Sequence, residues 1–208
     1  MDTIEKEPLL VSDLFIKEVN KYKRSLPWIK YDRIEEDIVN HFCDLGYSVP
    51  YVKEALRLLN SNNKRRVRCY DKIIWLFDNY DVVFFGTLTF KDQVLNNTTS
   101  ETRRRYVSRY LKSISDCYVA NIDFGDKEKN PESNEREHYH CLLAIDKEPS
   151  SWPYGFSKFK KVILKDDSAT CLSKYIVKLS RHALKQTSNG KAPRLIYSKS
   201  VAPSWLLE

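Results

Sequence analysis

Three runs rich in β-branched and aromatic residues constrain the fold of this 208-residue chain more than any other feature. They are DVVFFGTLTF from Asp81, CYVANIDF from Cys117 and REHYHCLLAI from Arg136. Such runs read as strands, and Gly86 inside the first suggests a buried central one. Between the second and third lies GDKEKNPESNER, a polar turn containing Gly and Pro, so that pair is expected to form an antiparallel hairpin with a long loop. Between the first and second, KDQVLNNTTSETRRRYVSRYLKSIS reads as a polar loop followed by an amphipathic helix. Its Tyr106, Val107, Tyr110, Leu111 and Ile114 face inward. FSKFKKVILK is a fourth strand, and SATCLSKYIVKLSRHAL a helix with Ser168 as its cap. The tail PRLIYSKSVAPSWLLE is irregular or a short strand. The order strand, helix, strand, strand, strand, helix predicts an α+β core over residues 81–208. It is a central antiparallel sheet with its helices packed on one face, leaving the other free to carry a site.

Residues 1–80 have a different texture and read as a helical region whose role the residues do not reveal. YDRIEEDIVNHF places Ile34, Ile38, Val39 and Phe42 at helical spacing. SVPYVKEALRLLN follows, with Ser48 as a possible cap and Pro50 early enough to be tolerated. VRCYDKIIWLFDNY makes a third helix, with Val67, Tyr70, Ile74, Leu76 and Phe77 on or near one side. NNKRRVR between the last two is expected to be a loop or helix start, and by default a solvated one. A 42% hydrophobic and 12% aromatic content supports a packed core. The five cysteines form no C-x-x-C pair, so neither a disulfide framework nor a cysteine zinc site is expected. With an acidic N-terminus and no apolar run of spanning length, a cytoplasmic protein without a membrane partner is expected.

Two of the four histidines sit one residue apart in EHYHCLLA. On a strand, His138 and His140 share a face, while Tyr139 and Cys141 take the other. Side-by-side imidazoles can hold a divalent metal, or simply belong to a half-buried strand. Asp123 is the carboxylate within the apolar partner strand. It is either a strand-end residue bonding the turn or a third ligand across from the histidines. Two imidazoles and a carboxylate with open positions suit Mn²⁺ or Mg²⁺ completed by phosphate and water. Glu135 and Glu137 are rival third ligands, although Glu137 adjoins His138 and should face away. Tyr175 and Lys178 are three apart on the last helix and share a face. Tyr175 belongs to the apolar stripe there, or serves as a nucleophile whose target phosphate a metal polarises, with Lys178 steadying charge.

Four segments together resemble the HUH-type initiators of rolling-circle replication. GTLTF looks like that family's first motif, HYHCLL like its histidine–hydrophobic–histidine motif and KYIVK like its Y-x-x-K helix. IDFG resembles the strand that carries an acidic third ligand. The stretch from Trp152 to Lys178 also looks like the segment joining motifs two and three in small phage and bacterial initiators. The resemblance covers roughly residues 80–185. It implies a metal-dependent endonuclease that nicks and rejoins single-stranded DNA at a replication origin, in a prokaryotic host whose helicase and DNA polymerase then act. Tyr175 and Lys178 would be catalytic, with His138, His140 and Asp123 as metal ligands. Cys171 stands where some relatives have a second tyrosine, which implies a single-tyrosine enzyme. Position 185 is lysine rather than the first glycine of a phosphate loop ending at Gly190-Lys191, so no ATPase is expected.

A single-tyrosine transposase or a relaxase would share this chemistry. A non-catalytic module on an RRM-like sheet is a third reading, one that expects aromatics where the histidines stand. The formal charge of +7 is consistent with a polyanionic partner. Arg103, Arg104, Arg105, Arg109 and Lys112 on one helix are candidates for a phosphate track, as is Lys174 beside the tyrosine. A solvated helix face explains the first five equally well. The NNKRRVR cluster is a further candidate, for duplex DNA beside the nick.

Overall fold

The structure is a computed structural model that describes residues 13–25, 31–125, 136–163, 168–177 and 194–198. Its elements run α1 (Asp13–Ser25), α2 (Tyr31–Asp44), α3 (Val49–Asn79), β1 (Val83–Phe90), α4 (Asp92–Asn97), α5 (Ser100–Ile114), β2 (Cys117–Phe124), β3 (Glu137–Ala144), β4 (Gly155–Val162), α6 (Ser168–Ile176) and β5 (Ile196–Tyr197). The strands form one antiparallel five-stranded sheet in the order β4-β1-β3-β2-β5. The α+β class and the β2–β3 antiparallel pair match the sequence-based expectation, and β1 is an interior strand between β4 and β3. Gly86 has a packing reason to be glycine. A Cβ there would lie 2.4 Å from the Phe159 ring of β4 and 2.7 Å from Cys141 Sγ of β3.

The helices do not keep to one face. Val107, Tyr110 and Leu111 of α5 pack with Leu88, Ile122, Tyr139, Cys141 and Leu143 on one side of the sheet. On the other, Cys69, Ile73 and Leu76 of α3 and Ala169 and Ile176 of α6 pack on Val83, Val119, Leu142 and Ala144. The physical reason lies in β2, where all eight positions are buried. A strand apolar on both faces needs cover on both, as in sheets sandwiched between helix layers. At one end of the second face the polar residues of β2 and β3 take the place of this apolar packing.

The region before β1 is helical in its described residues, and Ile34, Ile38, Val39 and Phe42 are buried together as their spacing predicts. NNKRRVR, however, is neither a loop nor a start: α3 runs through it as one 31-residue helix. The segment contains no Gly or Pro, and its Lys and Arg are good helix formers, so nothing interrupts the backbone ladder. The two ends of α3 have different burials. Val52, Ala55, Leu56 and Leu59 join the helical cluster with α1 and α2. Cys69, Ile73 and Leu76 join the sheet. The inward stripe is therefore rotated from the expected one, leaving Val67 and Tyr70 exposed. Ser48 occupies the N-cap without a side-chain cap bond, and Pro50 sits in the first turn. Residues 92–97, expected as loop, form the short helix α4. Arg103 secures it from α5 by donating to the carbonyls of Leu95 (3.1 Å) and Thr98.

Candidate metal centre

Strand register puts the candidate residues in rows across the sheet. One row reads Phe156, Thr89, His138, Asp123 from β4 to β2, and the next reads Lys158, Thr87, His140, Asn121. Directly opposed residues point to the same side. That side is the one covered elsewhere by α3 and α6, because Val83, Val119 and Leu142 lie in phase with these positions. Parity also disposes of Glu137. It faces α5, where its buried carboxylate meets the partly buried Arg103 at 2.6 Å. The other rival, Glu135, lies outside the described residues, as does Lys178.

Asp123, His138 and His140 converge, and they are a group whose geometry can hold a metal ion. The two Nε2 atoms are 3.2 Å apart, and Asp123 Oδ2 lies 3.6 Å from His138 Nε2 and 3.4 Å from His140 Nε2. An ion with bonds of about 2.0–2.2 Å sets neighbouring ligand atoms about 2.8–3.6 Å apart in octahedral or tetrahedral shells. All three edges fall within that span. The outer nitrogens are held as well. His138 Nδ1 lies 2.8 Å from the carbonyl of Arg136, which can only accept, so Nδ1 carries the proton and Nε2 offers its lone pair. His140 Nδ1 meets the Thr87 hydroxyl at 3.2 Å, which allows the same tautomer. Asp123 splits its oxygens, Oδ1 accepting from the Phe124 amide at 2.8 Å while Oδ2 faces the imidazoles. Its backbone bond at the strand end and its place across from the histidines are therefore compatible with one another. Three electron-pair donors on a buried patch favour a cation at their centre.

Tyr175 stands over this group. Its ring centroid is 4.7 Å from that of His140 and 5.7 Å from that of Phe85, yet the side chain is half exposed. It is not a stripe residue. Ala169, Ser173 and Ile176 make the buried side of α6, and Tyr175 leans off that side toward the histidines. Lys174 is exposed in the same last turn, and Cys171 is exposed one turn earlier.

Two residues that the sequence did not single out complete the neighbourhood. Asn121 is buried one row from Asp123. It donates to the carbonyl of Ile176 at 2.8 Å, tying the end of α6 to β2 directly after Tyr175. Its Oδ1 accepts from Arg65 of α3 at 3.0 Å. Arg65 comes from the NNKRRVR run. Burial pulls its guanidinium down to about 10, so it stays charged at neutral pH. No carboxylate is within ion-pair reach of it among the described residues, and its Nε has no partner. Arg65 is thus a half-buried cation joined through Asn121 to the strand that carries Asp123.

The basic residues of α5 do not form one track. Arg103 is committed to Glu137 and to α4, and Arg104 donates to the carbonyls of Arg194 and Leu195 at 2.6 and 3.2 Å. Arg105 pairs with Glu101 at 2.5 Å. Arg109 and Lys112 are exposed. All five belong to the helix on the opposite side of the sheet from the histidines. Comparison with protein-family models, curated proteins and solved structures returns no match. Among the described residues, no helix is long and apolar enough to cross a membrane.

Proposed function

We propose that this chain is a metal-dependent endonuclease and strand-joining enzyme that acts on single-stranded DNA at a replication origin. The observation that carries this reading is the contact between Tyr175 and His140, which sets an exposed phenol beside a buried two-histidine, one-carboxylate group. Such a group with imidazole ligands suits Mn²⁺ better than Mg²⁺, which prefers oxygen throughout. The ion, when bound, supplies Lewis-acid polarisation of a phosphoryl oxygen. The Tyr175 oxygen attacks the phosphorus, a P–O bond to tyrosine forms, and the bond to the 3′-oxygen breaks. The phenol proton passes to solvent and the 3′-oxygen takes one up, leaving a 5′-phosphotyrosyl link and a free 3′-OH for a host polymerase and helicase to use. Attack by a 3′-OH reverses the step and rejoins strands. Arg65 offers the positive charge on the protein side of the site, and Lys178 follows Tyr175 as a second candidate. Glu137 and the α5 cations have no part in this chemistry.

The experiment is to incubate the full chain and Mn²⁺ with a randomised single-stranded oligonucleotide pool. A denaturing gel then separates covalent adducts, which mass spectrometry maps. Wild type should give an adduct at Tyr175, and Tyr175→Phe or EDTA should give none. No adduct with any divalent metal, or an adduct mapped to another residue, overturns the reading.

A further inference from the structure

The edge strand β4 carries a row of side chains on the metal side of the sheet that nothing above employs. Register pairs Phe156 with Thr89, Lys158 with Thr87 and Lys160 with Phe85, so all three share the face of His138 and His140. The alternate residue Phe159 goes the other way, into the core under α5. Phe156 is 71% exposed, a large ring left in solvent. Lys158 and Lys160 are exposed, and neither has an ion-pair partner among the described residues. Lysines on an edge strand are a common defence against unwanted strand pairing. That explanation does not extend to the phenylalanine between them and the strand's start, because a bare aromatic ring invites association.

We propose that Phe156, Lys158 and Lys160 form the track along which a single nucleic-acid strand lies beside the metal centre. This rests on the nuclease reading above and names how its substrate is held. β1 separates β4 from β3 and presents Thr89 and Thr87 beside Phe156 and Lys158, a low floor that ends at the Phe85 ring beside Lys160. The span from β4 to β3 is two strand spacings, about 10 Å. That is room for one strand and not for two paired ones. Along β4, Lys158 and Lys160 are two residues apart, about 6.6 Å, comparable with the interval between phosphates of an extended strand. Phe156 offers a face on which a base can stack, a sequence-tolerant contact typical of single-strand binders. The row aligns with the histidines, since Phe156 lies across Thr89 from His138 and Lys158 across Thr87 from His140. A backbone held there passes within one trough's width of Tyr175.

The test measures binding without cleavage, by fluorescence anisotropy of the full chain with a labelled thymidine homopolymer in EDTA. Wild type should bind with a log–log salt dependence, and Lys158→Ala/Lys160→Ala should flatten that slope by about 1.4, or about 0.7 for each lost phosphate contact. Phe156→Ala should weaken binding roughly tenfold or more, and Phe156→Trp should restore it. Arg109→Ala/Lys112→Ala, on the opposite side of the sheet, should bind as wild type does. The proposal is overturned if the wild type binds no single strand, or binds a duplex as tightly. It is equally overturned if the β4 variants bind normally or if their loss appears as altered self-association in sedimentation velocity. The two readings fail separately. Loss of binding in the β4 variants with no Tyr175 adduct in any protein removes the nuclease and keeps the track. Full adduct yield and normal binding in the β4 variants does the reverse.

Discussion

Replacing Asn121 by alanine tests how the site is held together. The side chain is buried and joins three elements: it sits on β2, accepts from Arg65 of α3 and donates to the Ile176 carbonyl of α6. A hydrogen bond to a charged group is worth about 1.5–3 kcal/mol, and the neutral bond to the carbonyl adds about 1 kcal/mol. Alanine cannot replace either, and water reaches neither partner easily, so Asn121→Ala should lower unfolding free energy by about 2.5–4 kcal/mol. Urea unfolding followed by circular dichroism measures this, with the m-value unchanged if only the native state is affected. The cycle with Arg65→Ala is the sharper check. Once Asn121 is gone, Arg65 is a half-buried cation with its main site-side partner removed, so deleting it should cost about 1–2 kcal/mol less than it does in wild type. A loss under about 1 kcal/mol, or strict additivity of the two changes, refutes the argument that Asn121 is the joint between these elements.

Three further outcomes follow from the same geometry. Calorimetry should show Mn²⁺ binding to wild type and none to His138→Ala/His140→Ala, while both proteins give the same far-ultraviolet spectrum. Thr87→Val keeps the shape of the side chain but removes the hydroxyl beside His140 Nδ1. It should weaken Mn²⁺ binding by about 10- to 100-fold, as loss of an outer partner of a ligating imidazole does. Iodoacetamide at pH 8 should label exposed Cys171 and spare Cys69 and Cys141 until urea is added, because burial pushes both of those thiols up to about 12. Labelling of Cys141 in the native protein would show that the core between β1, β3 and β4 opens.

The parts of this site that could be read in the sequence are those governed by strand parity. Two-residue alternation alone puts His138 and His140 on one side and Glu137 on the other, and a hairpin brings the partner strand's Asp123 level with His138. Helical spacing likewise foretold the inward residues of α5 and α2. What escaped depends on contacts between distant segments. Arg65 and Asn121 are 56 positions apart, and no local pattern marks either. A run such as NNKRRVR has the composition of a solvated face, and only the packing of α3 on the sheet turns one of its arginines inward. The commitments of the α5 cations were hidden for a related reason, since counting charges cannot show that Arg103 already has Glu137 as its partner. The helices on both faces were written into β2, whose eight buried positions leave no face for water.

The unbroken course of α3 has a mechanical consequence. At about 1.5 Å per residue the helix is about 46 Å long, a stiff rod with one end in the α1–α2 cluster and the other clamped to the sheet. Arg65 lies between those two anchorages, touching the site through Asn121. A rod supported at one end moves at its middle when the other end is pushed. Any load that displaces α1 and α2 therefore arrives at Arg65 as a tilt, and through Asn121 at the seat of Tyr175. The helical region and the sheet share a lever, and the arginine that bonds Asn121 is mounted on it.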